Sequence, residues 1–250
     1  MNIVNRVLTP GLLSLLFIFQ SAAPAQWGKK PYTEWSEKEV ARMLENSPWS
    51  QTQVFTDTSK NFSNANGTTT IADLINVNFR VRFLSAKPVR QAIGRSVELQ
   101  HKGKLPDQMA SQLKAFAAAD FPDYIIVTVL CNSDKASNML QQALSLLQKL
   151  KTSELKNNTY LMGKDGERLF LQEYQPPRDD GLGARFVFPR MVNGKPFITP
   201  ESGEVLFHSE LGGGSLLNST IPNSSNRFNG FTLNTRYKVK DMVFDGKLEY

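Results

Sequence analysis

The sequence predicts an α+β fold: a single domain with a largely antiparallel mixed sheet packed by three to four helices, most of them in the N-terminal half. Three observations lead there. Four stretches with apolar residues at helical spacing begin before Leu150, whereas short alternating runs joined by Gly-containing turns follow it. The two kinds of element are segregated along the chain rather than interleaved, which favours α+β over a parallel α/β sheet. At 250 residues, the chain can lose a leader and still build one substantial core.

Residues 1–25 read as a cleavable signal peptide. Arg6 precedes an apolar run from Leu8 to Phe19, and Ala23-Pro24-Ala25 supplies the small-x-small cleavage site. Pro10 and Gly11 interrupt the run and Gln20 and Ser21 end it, so it falls short of the roughly 20 apolar residues a spanning helix needs. No later stretch is long and apolar enough to cross a bilayer. The mature chain is therefore expected to start at Gln26, to be exported to the periplasm or outside the cell, and to contain no transmembrane segment. Cys131 is the only cysteine, so the fold must hold without an intramolecular disulfide even in an oxidising compartment.

Residues 26–50 form an arm holding Trp27, Trp35 and Trp49. Ser36 and Glu39 make a Ser-x-x-Glu capping box, Trp35 and Val40 have the spacing of a hydrophobic staple, and Ser47-Pro48 stops the helix. Val40, Met43 and Leu44 are its buried stripe, and the tryptophans are expected to dock the arm on an α+β domain spanning 51–250. Residues 57–70 read as a polar loop. From Ile75 to Leu84 the chain alternates, with Val77, Phe79, Val81 and Phe83 opposite Asn78, Arg80 and Arg82, which predicts a half-buried strand. A helix near Pro88 carries Val89, Ile93 and Val97, and a second from Pro106 carries Met109, Leu113 and Phe116. Tyr124 to Cys131 is nearly continuous in apolar residues and belongs mid-sheet.

A helix capped near Ser133 follows, with Ala136, Leu140, Ala143, Leu144, Leu147 and Leu150 facing inward. Tyr160–Met162 and Arg168–Tyr174 flank the turn 163–166 as one hairpin. Arg185–Met191 and Pro196–Thr199 flank Asn193-Gly194 as another. Glu204–Leu211, Phe231–Val239 and Met242–Phe244 complete the strands, and residues 212–229 read as a long Gly-, Ser- and Asn-rich loop.

Familiar catalytic patterns are missing from this string. Two histidines, His101 and His208, and one cysteine give no zinc-like spacing, so no metal is expected and no cofactor either. Ser215 follows Gly212-Gly213-Gly214, but two leucines follow it, so the Gly-x-Ser-x-Gly elbow is incomplete. Gly181-Leu182-Gly183 follows Asp179-Asp180 rather than a strand and reads as a turn, not a phosphate loop. Cys131 ends the most apolar strand, which suits an inert buried thiol. His208, beside Ser209 and Glu210, shares a strand face with Leu206. Sequons occur at Asn61, Asn66, Asn157, Asn218 and Asn223 and matter only in a eukaryotic secretory route.

Charge is the feature that points somewhere. The net charge of +6 includes Arg6 of the leader and is concentrated: Arg80, Arg82, Lys87, Arg90, Arg95, Lys102 and Lys104 stand against Glu98 alone between Phe79 and Lys104. Arg80, Arg82, Arg90 and Arg95 are the expected binding residues for an anionic ligand or surface, since guanidinium pairs with carboxylate and phosphate through a planar fork. Nucleic acid is not expected, because no basic tail or stacking motif accompanies the charge.

Trp35-Ser36-x-x-Glu39-Val40, Ser47-Pro48-Trp49, Ser85-Ala86-x-Pro88-Val89-Arg90-Gln91-Ala92 and the ending from Lys240 to Tyr250 resemble a set of uncharacterised exported proteins of soil bacteria such as acidobacteria. The resemblance runs over most of the mature chain. It implies a bacterial envelope or extracellular location, which would leave the sequons without a role, and it brings no activity, cofactor or catalytic residue. The sequence thus leads to a non-enzymatic exported protein that binds an unidentified envelope or extracellular partner or ligand. The alternative is a hydrolase assembled from distant residues around His208.

Overall fold

The structure, a computed structural model, describes residues 29–57, 74–212 and 230–250. The signal peptide, Trp27, most of the polar loop beginning at 57, the loop 213–229 with Ser215, and the sequons at Asn61, Asn66, Asn218 and Asn223 lie outside the described residues. The fold is α+β with helices mostly in the N-terminal half, and every strand pairing is antiparallel.

Helix α1 (Glu37–Glu45) starts as its capping box dictates: the Glu39 amide donates to Ser36 Oγ, and the Ser36 amide donates to Glu39 Oε2 at 2.8 Å. Its other end shows why it stops. Ser47 Oγ, Arg82 Nε and Thr52 Oγ1 donate to the carbonyls of Met43, Leu44 and Glu45, satisfying groups that an unextended helix leaves open. Trp35 and Trp49 are buried on either side of α1, each edge-on to Phe244.

Strand β1 (Ser50–Asp57) has no counterpart in the sequence reading. It pairs with β2 (Ile75–Phe83) along its whole length, but its inward positions include Gln51 and Gln53, so the apolar alternation that signals a strand is weak. Helices α2 (Lys87–Gln100) and α3 (Asp107–Ala118) lead to β3 (Tyr124–Ser133), which sits third in a five-stranded sheet ordered β1-β2-β3-β7-β6. In α3 only Ala117 is fully buried and Met109 is exposed, so this helix is peripheral. Helix α4 (Asn138–Lys149) is capped by Ser137, not Ser133, whose backbone is still paired in β3. Leu144 and Ala136 are accordingly exposed, while Ala143, Leu147 and Leu150 face in. A short α5 (Thr152–Leu155) follows.

The later strands are β4 (Thr159–Met162), β5 (Arg168–Phe170), β6 (Glu173–Gln175), β7 (Ala184–Pro189), β8 (Met191–Val192), β9 (Lys195–Pro196), β10 (Glu204–Leu211), β11 (Phe231–Lys238), β12 (Val243–Phe244) and β13 (Lys247–Leu248). Order β11-β10-β4-β5 makes a second sheet, so the expected antiparallel strands divide between two main sheets, with the two-stranded pairs β8-β9 and β12-β13 beside them. The expected strand Arg168–Tyr174 is divided for the same reason. The Leu171 amide still bonds Thr159 of the second sheet, while that of Gln172 already bonds Val187 of the first.

The two sheets pack face to face through alternating aromatic side chains: Phe79 on Phe231 at 4.7 Å, Phe83 on Tyr237 at 4.8 Å and Phe186 on Phe207 at 5.4 Å between centroids. Such offset and edge contacts add to the area they bury. At one seam Gln53 stands in for a peptide group. Its Oε1 accepts from the Asn234 amide at 2.7 Å and its Nε2 donates to the Thr232 carbonyl at 2.9 Å, tying β1 to β11. The chain's last residues close over the helix side: Trp49 Nε1 donates to the Glu249 carbonyl, and Glu249 Oε2 accepts from the Lys87 amide at 3.0 Å. That carboxylate caps α2, which has no side-chain cap of its own.

Candidate functional site

Strand alternation puts Arg80 and Arg82 on the face of β2 away from the second sheet, but that face is not open to solvent. Helix α1 lies against it, with α2 packed beside α1. Between these helices, β2, β3 and the loop at Asp180–Leu182 runs a half-enclosed groove of about 620 Å³. Val40, Leu44, Ile93, Val97, Leu130 and Leu182 contribute its apolar walls.

Both arginines line it. Arg80 Nη2 is 2.8 Å from Glu45 Oε1, an ion pair open enough to be worth little in stability. Arg82 is 6% exposed. Its Nε donates to the Leu44 carbonyl at 2.6 Å, and no other hydrogen bond of its side chain is formed among the described residues. Burial, and then the neighbouring Arg80 charge, pull its pKa down to about 10; it remains a cation at neutral pH. In the same cross-strand row stand Thr128 of β3 and Arg185 of β7. Arg185 pairs with Asp180, whose Oδ1 also accepts the Leu182 amide at 3.0 Å, so one carboxylate both neutralises Arg185 and shapes the loop.

Arg90 and Arg95 do not join them. Arg90 is 1% exposed and donates to the carbonyls of Leu84, Ser85 and Ala119, with its guanidinium over the Phe121 ring. It ties the start of α2 to the end of α3 and offers no surface to a ligand, which corrects the expectation of a four-arginine face. Arg95 Nε donates to the Trp35 carbonyl and Nη1 pairs with Glu98. Nothing in the sequence distinguished these fates, because most of the partners are backbone carbonyls.

His208 lies on the outer face of the second sheet, stacked on Tyr160 at 4.6 Å with Arg168 against the same tyrosine. Nδ1 is 2.8 Å from Asn234 Oδ1, while Nε2 is 3.7 Å from Glu210, longer than a hydrogen bond. The adjacent hydroxyl, Ser209, turns into the core and bonds Thr159 at 2.8 Å. The Cys131 thiol is buried and pushed up to about 12 by that burial, so little thiolate forms at neutral pH. Among the described residues no helix is long and apolar enough to cross a membrane. Comparison with family models, with curated proteins and with solved structures finds no match to the chain.

Proposed function

We propose that the protein is exported to the bacterial envelope or beyond and acts by binding an anionic ligand in the groove beneath α1 and α2, without catalysing a reaction on it. One observation carries the reading: Arg82 is a nearly buried cation that lines the groove, and among the described residues its side chain hydrogen-bonds only a backbone carbonyl, while the nearby Glu45 carboxylate is already paired with Arg80. A buried charge so lightly compensated is unfavourable by itself, and a bound anion would relieve it. The leader and the resemblance to exported soil-bacterial proteins support the location.

Two measurements test this. The intact mass of the exported protein should correspond to a chain starting at Gln26, and retention of residues 1–25 would rule out a cleaved signal peptide. Thermal melts in acetate, with phosphate and sulfate alongside for comparison, should show a rise in Tm by mass action for at least one anion, weakened by added salt and reduced in Arg80→Ala, Arg82→Ala. An unchanged Tm in every anion, or an equal rise in the double variant, removes the groove as an anion site.

A further inference from the structure

The groove is not uniformly basic. Arg82 lies at its floor, Arg80 is already held by Glu45, and the lining also includes the carboxylates of Glu37, Glu45 and Asp180. These acids oppose the entry of a second negative charge, so a dianion or a densely charged surface is disfavoured, while a single acid group meets the Arg82 fork. An aliphatic stripe runs from Val40 and Leu44 on α1 across to Ile93 and Val97 on α2, beside the polar Ser96 and Gln100. At about 620 Å³ the space falls within the range of small-molecule sites, roughly 300–1,000 Å³.

Resting on the anion-binding reading above, we infer that the ligand is a slender amphiphile with one acid group, a carboxylate on an unbranched apolar chain. Its head receives Nη1 and Nη2 of Arg82, the two donors that make no hydrogen bond among the described residues. Its chain lies along the α1–α2 wall. The carboxylate is matched because a planar pair of oxygens accepts both donors at once, and the chain is matched by the aliphatic stripe of Val40, Leu44, Ile93 and Val97. Selection is double: the floor rejects uncharged chains and the carboxylates reject multiply charged heads.

The test is calorimetric titration of the mature protein with decanoate, decanol, decyl phosphate and acetate at pH 8, decanoate being kept below its micellar range. Ser96→Trp is the first variant, because Ser96 lines the groove on α2, is not part of the α1 terminus and fills the chain's path. Arg82→Lys is the second, since it keeps the charge and loses the fork. Decanoate should bind wild type at least about tenfold more tightly than decanol or decyl phosphate, the worth of a charge-assisted hydrogen bond. Each variant, still melting cooperatively, should weaken decanoate by about the same factor. Decanoate bound equally by wild type and Ser96→Trp would overturn the inference. So would acetate binding as tightly as decanoate, which would leave the anion-binding reading intact and remove the chain. Failure of all four probes to bind would reject both.

Discussion

Two glycines in the loop beside the groove offer an internal comparison. Gly181 and Gly183 both have left-handed backbone, φ of 71° and 82°, so alanine at either carries the same conformational penalty, about 1–2 kcal/mol. Their surroundings differ. Nothing lies within 4 Å of a Cβ built on Gly181, whereas one on Gly183 would press on the Val129 carbonyl oxygen, 2.9 Å from its carbon and 3.0 Å from Leu130 Cα. Those atoms belong to the central strand β3 and cannot retreat, so the loop must move, at an overpacking cost of about 1–3 kcal/mol. Gly183→Ala is therefore expected to lose about 2–5 kcal/mol in total and Gly181→Ala about 1–2 kcal/mol. At about 2–4 °C per kcal/mol for a domain this size, Tm should fall by about 4–20 °C and about 2–8 °C respectively. Urea unfolding of the two variants side by side provides the assay, with unchanged m-values as the sign that only stability moved. Gly181→Asn should be milder still, since asparagine tolerates this backbone. Equal losses for the two alanine variants would refute the close approach of loop and strand.

Arg90→Ala should cost at least about 3 kcal/mol, because it strands three carbonyls that the guanidinium now satisfies, whereas Arg95→Ala should cost about 1 kcal/mol; chemical denaturation of both decides whether Arg90 is structural. The Glu39 carboxyl is held at about 2, below its ordinary 4.5, first by Lys30 at 2.8 Å and then by the Ser36 amide and hydroxyl. Since its folded pKa is depressed, the stabilisation it gives α1 is complete above the ordinary value and fades as pH falls from 4.5 towards 2. Carbon-detected titration should find this value, and Lys30→Ala should raise it; a normal Glu39 titration in wild type would contradict the capping geometry. Ser36→Ala should destabilise the helix by about 0.5–2 kcal/mol, read as faster amide exchange at Glu39.

Local chemistry was legible wherever a residue's partner lies within one turn or one strand. Ser36 and Glu39 fixed the start of α1 because both halves of the box are four residues of sequence. Alternation from Ile75 to Phe83 fixed which side chains of β2 meet the other sheet, and Asn193-Gly194 fixed a turn because both residues take the positive φ it needs, 51° and 74°. Where the signal was one-sided, it misplaced boundaries: Ser133 and Ser137 can each cap a helix, and only pairing of Ser133 with Val77 in β2 excludes the first.

What alternation cannot say is what will cover a face or where a run of residues changes sheets. Leu171 and Gln172 carry the chain from one sheet to the other because partners from distant strands, Thr159 and Val187, compete for adjacent amides. The four arginines looked equivalent in sequence, since each is one positive charge in the same window. Tertiary packing separated them, placing Arg90 among carbonyls from two turns, Arg95 beside Trp35 and Glu98, and Arg80 with Arg82 under α1. The composition of the chain determined that an excess of cations would exist; only the approach of α1, 38 residues upstream of Arg82 at its contact, determined that one of them would be nearly buried in a groove, because desolvation depends on neighbours in space and not on neighbours in sequence.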